Sequence, residues 1–190
     1  MGQGVKEAKA EVAASLARIF WYAAQADKYD GRVHATKSRH VTLAMNEPWG
    51  VMGLVCPAAA PLLGFVSLVA PAIAMGNAVV AVPSERHPLS ATDFYQVLET
   101  SDVPAGVVNI VTGRCDVLAP VLAGHDDVDA LWYFGPAAGS REVEELSAGN
   151  MKRTWTGGAG RDWLSSATGE GPEFLREATQ VKNVWTPSGE

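Results

Sequence analysis

The chain has 190 residues, 21 acidic against 15 basic side chains, a formal net charge of −6 and 47% hydrophobic residues. That length and apolar content support one ordinary domain core, and the scattered Lys and Arg exclude a general nucleic-acid binder, which sets clustered cations against phosphate. Cys56 and Cys115 are the only cysteines, which excludes a disulfide scaffold and a cysteine-rich zinc site. The opening residues lack the apolar core of a secretory signal, and Lys6 stands where a myristoylation site wants Ser or Thr, so a cytosolic setting is expected.

Residues 4–27 are rich in Ala, Lys and Glu, and Val5, Ala8, Val12, Leu16, Ile19, Phe20 and Ala23 mark one face of a long helix. Gly31 is expected to stop it in a left-handed cap. Residues 34–45 alternate loosely and predict an extended arm or hairpin strand ahead of the sheet. An unpaired arm is an edge open to another chain, so self-association is expected.

Between Glu47 and Glu85 no side chain is charged, yet Pro57, Pro61, Pro71 and the Gly76-Asn77 pair cut the apolar stretch. Those breaks would leave backbone groups unsatisfied in hydrocarbon, so no membrane span is expected. What remains is a strand over 51–56, a helix over 61–75 and a strand over 78–82, the unit that a parallel sheet covered on both faces requires. The rhythm repeats with a helix over 88–100, a strand over 106–111, a helix over 116–123, a strand over 129–134, a helix over 137–149 and a strand over 152–156. This alternation predicts an α/β fold, a doubly wound, mostly parallel sheet with helices on both faces and ligands at the carboxyl ends of its strands. Three parts are expected: an N-terminal helix (1–31), a Rossmann-like unit (32–156), and a loop, short helix over 172–179 and extended tail (157–190).

Few side chains stand out as chemistry. Cys56 is read as a buried hydrophobe; Cys115 lies beside Arg114, which would lower its pKa, but has no His at a defined spacing. His125, Asp126, Asp127 and Asp129 read as a solvated turn rather than a metal site. Gly157–Gly160 lacks the Lys-Ser or Lys-Thr ending of a phosphate loop, and Glu142, Glu144 and Glu145 read as a solvated helix face. The aromatics Trp132, Tyr133, Phe134, Trp155, Trp163 and Trp185 admit two readings, an interface or a filling for the ligand crevice.

Three blocks carry a resemblance: Asn46-Glu47-Pro48-Trp49-Gly50-Val51, Pro71-Ala72-Ile73-Ala74-Met75-Gly76-Asn77-Ala78-Val79-Val80, and Pro104-Ala105-Gly106-Val107-Val108-Asn109-Ile110-Val111-Thr112-Gly113. Together, from about residue 26 to 156, they resemble the cofactor-binding half of the aldehyde dehydrogenase superfamily. The first helix, Trp132-Tyr133-Phe134-Gly135 and Val184-Trp185-Thr186-Pro187 look most like the degenerate second module of the long family-sixteen enzymes. The resemblance implies a cysteine nucleophile, an oxyanion amide, a glutamate base and a nicotinamide cofactor, and it can be checked by position. Ala58-Ala59 replace the family's Trp-Asn pair, Trp155 replaces the glutamate, and the nucleophile would lie in a domain that does not follow here, so no catalytic residue is expected. The implied cofactor contacts are Pro57, Ser84, Glu85, Gly113 and Gly135. The family's lysine in the turn before Glu85 is Val82, two loop glycines are Cys115 and Ala119, and a serine is Pro136. These losses imply no resident cofactor and at most a weak NAD site. No metal is expected, and the partners implied are a second copy, the catalytic module of a longer parent chain, or another protein. The alternative is a segment of a working NAD-dependent aldehyde dehydrogenase that turns an aldehyde into a carboxylic acid.

Overall fold

A computed structural model describes residues 4–37, 39–157 and 160–187. In chain order the elements are α1 (Val5–Gln25), β1 (Arg32–His34), β2 (His40–Pro48), β3 (Val51–Val55), α2 (Pro61–Ala74) and β4 (Ala78–Val82). Then come α3 (Leu89–Asp93), α4 (Tyr95–Thr100), β5 (Val108–Ile110), α5 (Cys115–Gly124), β6 (Ala130–Tyr133) and α6 (Ser140–Ser147). The chain closes with β7 (Arg153–Thr156), α7 (Ser166–Gly169), α8 (Pro172–Glu177) and β8 (Thr179–Pro187). The expected helix over 88–100 is split at Phe94, and the loop expected after Gly157 contains the single turn α7. The Gly158-Ala159 part of the glycine-rich turn lies outside the described residues.

Strands β5, β4, β3, β6 and β7 form a parallel sheet in that order, with helices on both faces, as the alternation predicts. Side-chain alternation divides two cores. Met52, Leu54, Val79, Ala81, Ala130 and Trp132 face α1, α2 and α8, whereas Val55, Leu131 and Tyr133 face α5 and α6. Among the described residues no helix is long and apolar enough to cross a membrane, because the apolar stretch is spent on α2 and the strands either side of it.

The arm is a hairpin rather than a lone strand. β1 and β8 pair antiparallel with the two edges of β2, from Arg32↔Ala44 to His34↔Thr42 on one side and from His40↔Pro187 to Pro48↔Thr179 on the other. The extended tail is therefore the arm's partner, and the unpaired edges of this three-stranded sheet belong to β1 and β8.

One local expectation changes. α1 ends at Gln25, with Ala26 in a right-handed cap, and Gly31 has no positive φ. Gly31 is needed for another reason: a Cβ there would collide with the Ala44 carbonyl as β2 passes. Most of the apolar face of α1 points outward, although Ile19 packs against the core. Phe20 is 75% exposed, and Val5, Val12 and Leu16 are exposed too, while the polar stripe Glu11, Ser15, Arg18 and Tyr22 is buried against α2 and α8.

Glu11 and Arg18 in that stripe meet orphans of the fold, while Ser15 Oγ donates back to the Glu11 carbonyl at 2.8 Å and the Tyr22 ring packs on Trp21 and Phe174. α2 opens on Pro61 with no local side-chain cap, and Glu11 Oε1 accepts from Leu62 N at 2.8 Å and Leu63 N at 3.1 Å. Arg18 donates to Ser67 Oγ and to the Gly169 carbonyl, both at 2.6 Å, and pairs with Glu170 at 3.3 Å. Asn77 closes the opposite end of α2. Its Oδ1 accepts from Gly50 N at 3.1 Å, and its Nδ2 donates to the Ala72 and Ala178 carbonyls at 2.9 Å. Buried polar groups satisfied this fully fix how elements dock as well as how they pack.

Candidate cofactor crevice

A cavity of about 460 Å³ lies at the carboxyl ends of β3, β4 and β6, where doubly wound sheets hold ligands. Cys56, Glu85, Arg86, Cys115, Phe134 and Gly135 are among its lining residues. The aromatic residues do not fill it. Trp132, Phe134 and Trp163 are buried on the α1–α2 side of the sheet, Phe134 alone bordering the crevice, and Trp185 is left 60% exposed on β8. The cavity stays open because aromatic side chains on β6 and β7 alternate away from it.

Of the five residues implied as cofactor contacts, the structure brings Glu85 and Gly135 together on this cavity and places the other three in the framework. Pro57 packs on α2, where a Cβ at Gly64 would meet its ring at 2.5 Å. Ser84 is buried and donates to the Ala58 carbonyl at 3.3 Å. A Cβ on Gly113 would meet Leu118 at 2.9 Å. Gly135 is held between Cys115 Sγ and the Tyr133 ring, each 2.9 Å from where its Cβ would stand, so no larger residue fits at this turn.

The electrostatics of the crevice are set by what caps its two helices. α5 has no side-chain cap of its own, and Glu85 Oε2 accepts from Cys115 N at 3.1 Å, placing a carboxylate on the positive end of the helix dipole. At the next turn the Tyr133 hydroxyl donates to the Pro136 carbonyl at 2.8 Å, and Gly139 N donates to that same oxygen at 3.0 Å. The α5 amide that faces the crevice is thus taken by a side chain of the protein. Glu85 caps a helix through Oε2 while its side chain stays exposed on the crevice.

Neither thiol is activated. Burial pushes the Cys115 thiol up against an opposing hydrogen bond with Tyr133, and the nearby Glu85 and Asp116 carboxylates add to the rise. Arg114, expected to lower it, is instead turned onto Asp116, with Nε at 3.0 Å from Oδ1, and this pairing holds the Asp116 carboxyl below the usual range. Cys56 is fully buried and its thiol is also pushed up. Tyr133, desolvated and beside Cys115, has its pKa pushed up to about 12. Asp129, read as part of a solvated turn, accepts from Val51 N at 2.8 Å and so fixes the start of β3. Among the described residues no group of three or more His, Cys, Asp or Glu is placed to hold a metal.

At the end of β7, where the family resemblance puts a glutamate, the Trp155 ring packs edge-on to Trp132 and Phe134 at 5.0 Å and to Phe174 at 5.1 Å. A doubly wound sheet with an open crevice at its carboxyl edge defines the class, a dinucleotide-fold domain. Residues 1–164 match the aldehyde dehydrogenase family, and the chain belongs to it.

The chain is 35% identical over 144 residues to the NADP/NAD-dependent aldehyde dehydrogenase PuuC of Escherichia coli, covering 75% of this chain and 29% of that protein. It is also 35% identical over 143 residues to an aldehyde dehydrogenase of Agaricus bisporus, with the same coverage. A putative aldehyde dehydrogenase from Burkholderia cenocepacia superposes with a TM-score of 0.74 at 34% identity, covering 78% of this chain and 31% of that one. PnpE in complex with nicotinamide adenine dinucleotide gives 0.71 at 32% identity, covering 76% and 30%. The chain thus spans about 29% of the length of the curated relatives it matches.

Proposed function

We propose that this chain is a non-catalytic aldehyde-dehydrogenase-type module with a structural or protein-interaction role, akin to the degenerate second module of the family-sixteen enzymes and acting in the cytoplasm. The observation that carries this reading is Trp155. At the site of the family's base stands an indole held by three other rings, and an indole accepts no proton. Two more facts support it: both thiols are pushed toward the protonated form by burial, and Glu85 Oε2 accepts from the α5 amide. The partner is a second copy or the catalytic part of a longer parent chain, met through the open edge of β8 and the exposed Trp185. Light scattering tests the self-association, and a purely monomeric mass would remove it.

The second reading, a segment of a working NAD-dependent aldehyde dehydrogenase, is favoured by the crevice itself. It is open, and Glu85 and Gly135 still line it. Pro57, Ser84 and Gly113 would act there by shaping its walls. Calorimetric titration of the chain with NAD+ separates the two readings. The first expects no saturable heat up to roughly 1 mM cofactor, equivalent to less than about 4 kcal/mol of binding. Micromolar binding would overturn the weak-site expectation and restore a cofactor role.

A further inference from the structure

Arg161 occupies an unusual place for a surface-loop cation. Its guanidinium carbon lies 5.6 Å from the Phe134 ring centroid, 5.4 Å from Trp155, 6.0 Å from Trp163 and 5.3 Å from Phe174. The four rings close on themselves around it: Phe134 to Trp155 at 5.0 Å, Trp155 to Phe174 at 5.1 Å, Phe174 to Trp163 at 6.5 Å and Trp163 to Phe134 at 5.4 Å. A single cation–π contact is ordinary, at roughly one per 70–80 residues, but four rings converging on one cation is the arrangement by which proteins recognise alkylammonium ligands.

The polar anchoring of Arg161 is slight by comparison. It donates to the Thr168 carbonyl and lies 3.3 Å from Glu173, whose side chain is 45% exposed. Arg18, by contrast, is held by two 2.6 Å hydrogen bonds in full burial. The residue before Arg161 is Gly160 at φ +84°, and Gly157 has φ +114°; a Cβ on either would meet nothing within 4 Å. The chain that carries Arg161 is therefore little packed at these glycines, while three of the four rings sit on β7, α8 and the end of β6.

From this geometry we infer that the four-ring box is a receptor for a small organic cation, with Arg161 as its intramolecular occupant. A guanidinium or methylated ammonium group from outside the chain takes the same place when Arg161 is absent from it. Phe134 also lines the crevice, so occupancy of the box is felt at a wall of that cavity. The inference stands independently of whether the crevice takes a cofactor.

The test uses the full chain and tetramethylammonium chloride, with sodium chloride at equal ionic strength as control and tryptophan fluorescence as readout. Arg161→Ala is expected to show a saturable change with half-saturation near roughly 1–10 mM. The wild type, its box filled, is expected to show none, and Trp155→Leu in the Arg161→Ala background abolishes the response. A folded Arg161→Ala chain without saturation, or a wild type that saturates equally, overturns the inference. Should Arg161→Ala fail to fold, a second pair decides. Arg161→Lys keeps the charge, and Arg161→Gln keeps a donor for Thr168 without the charge. A receptor for cations predicts that the Gln variant melts roughly 4–8 °C below wild type and the Lys variant at most half as far below it. Equal melting of the two would reduce Arg161 to a hydrogen-bonding role and refute the inference.

Discussion

Arg18→Met is the most informative single perturbation of the framework. The Arg18 side chain is buried and ties α1 to α2 through Ser67 and to the α7–α8 connection through Gly169 and Glu170. Methionine keeps most of the stem and its apolar contacts, so the variant isolates the charge. Ser67 retains its own 2.6 Å hydrogen bond to the Leu63 carbonyl. Glu170, 19% exposed, recovers part of its hydration, whereas the buried Gly169 carbonyl recovers none. Losing one partner of a buried ion pair costs about 3–5 kcal/mol, and the released desolvation of the guanidinium pulls the value toward the lower end, about 3 kcal/mol. With a urea dependence of about 2 kcal/mol per molar, the unfolding midpoint falls by roughly 1.5 M. A double-mutant cycle with Glu170→Gln should recover about 1 kcal/mol or more of coupling, because the doubly neutral chain has no stranded carboxylate. A loss below about 1 kcal/mol for Arg18→Met, or additive behaviour in the cycle, would refute the claim that this ion pair docks the C-terminal segment.

Two further outcomes follow from the thiols and the phenol. Iodoacetamide at pH 8 should alkylate Cys115 several-fold more slowly than free cysteine and leave Cys56 nearly untouched, since burial raises both thiols; faster modification of Cys115 would mean that Arg114 activates it after all. The fold should also weaken on the alkaline side. A group whose pKa is raised on folding contributes its stability fully below the unfolded value and loses it as pH climbs through the folded one, so the Tyr133 contribution fades between about pH 10 and 12, with the thiols adding in the same direction from pH 9. Lys152, lowered by burial while it donates to the Ala123 and His125 carbonyls, acts in the opposite sense and only softens the trend. Urea midpoints measured from pH 8 to 11 should fall, and Tyr133→Phe should flatten the fall; an unchanged slope would contradict the assignment.

Much of the architecture was legible because it is written in local periodicity. The uncharged stretch between Glu47 and Glu85, cut by Pro57, Pro61 and Gly76, specifies β3, α2 and β4 by breaks and by apolar runs too short to be anything but buried strands. Trp155, Ala58 and Pro136 could equally be set by position against the motifs that the family resemblance implies, without coordinates.

What only the tertiary structure decided were the pairings between distant residues. The stripe Glu11, Ser15, Arg18 and Tyr22 has helical spacing, but nothing local says that an orphaned α2 terminus and the Gly169 carbonyl wait for it. Gly31 looked like a helix cap because its other role depends on β2, thirteen residues away at Ala44. The match of Glu85 to a cofactor contact names the residue but not its partner, the Cys115 amide. The ring box needs four aromatics and one arginine from five points between Phe134 and Phe174. Periodicity and motif spacing record what each residue does for its own element; which polar group is satisfied by which, across long sequence separation, is fixed only when the elements dock and desolvate one another.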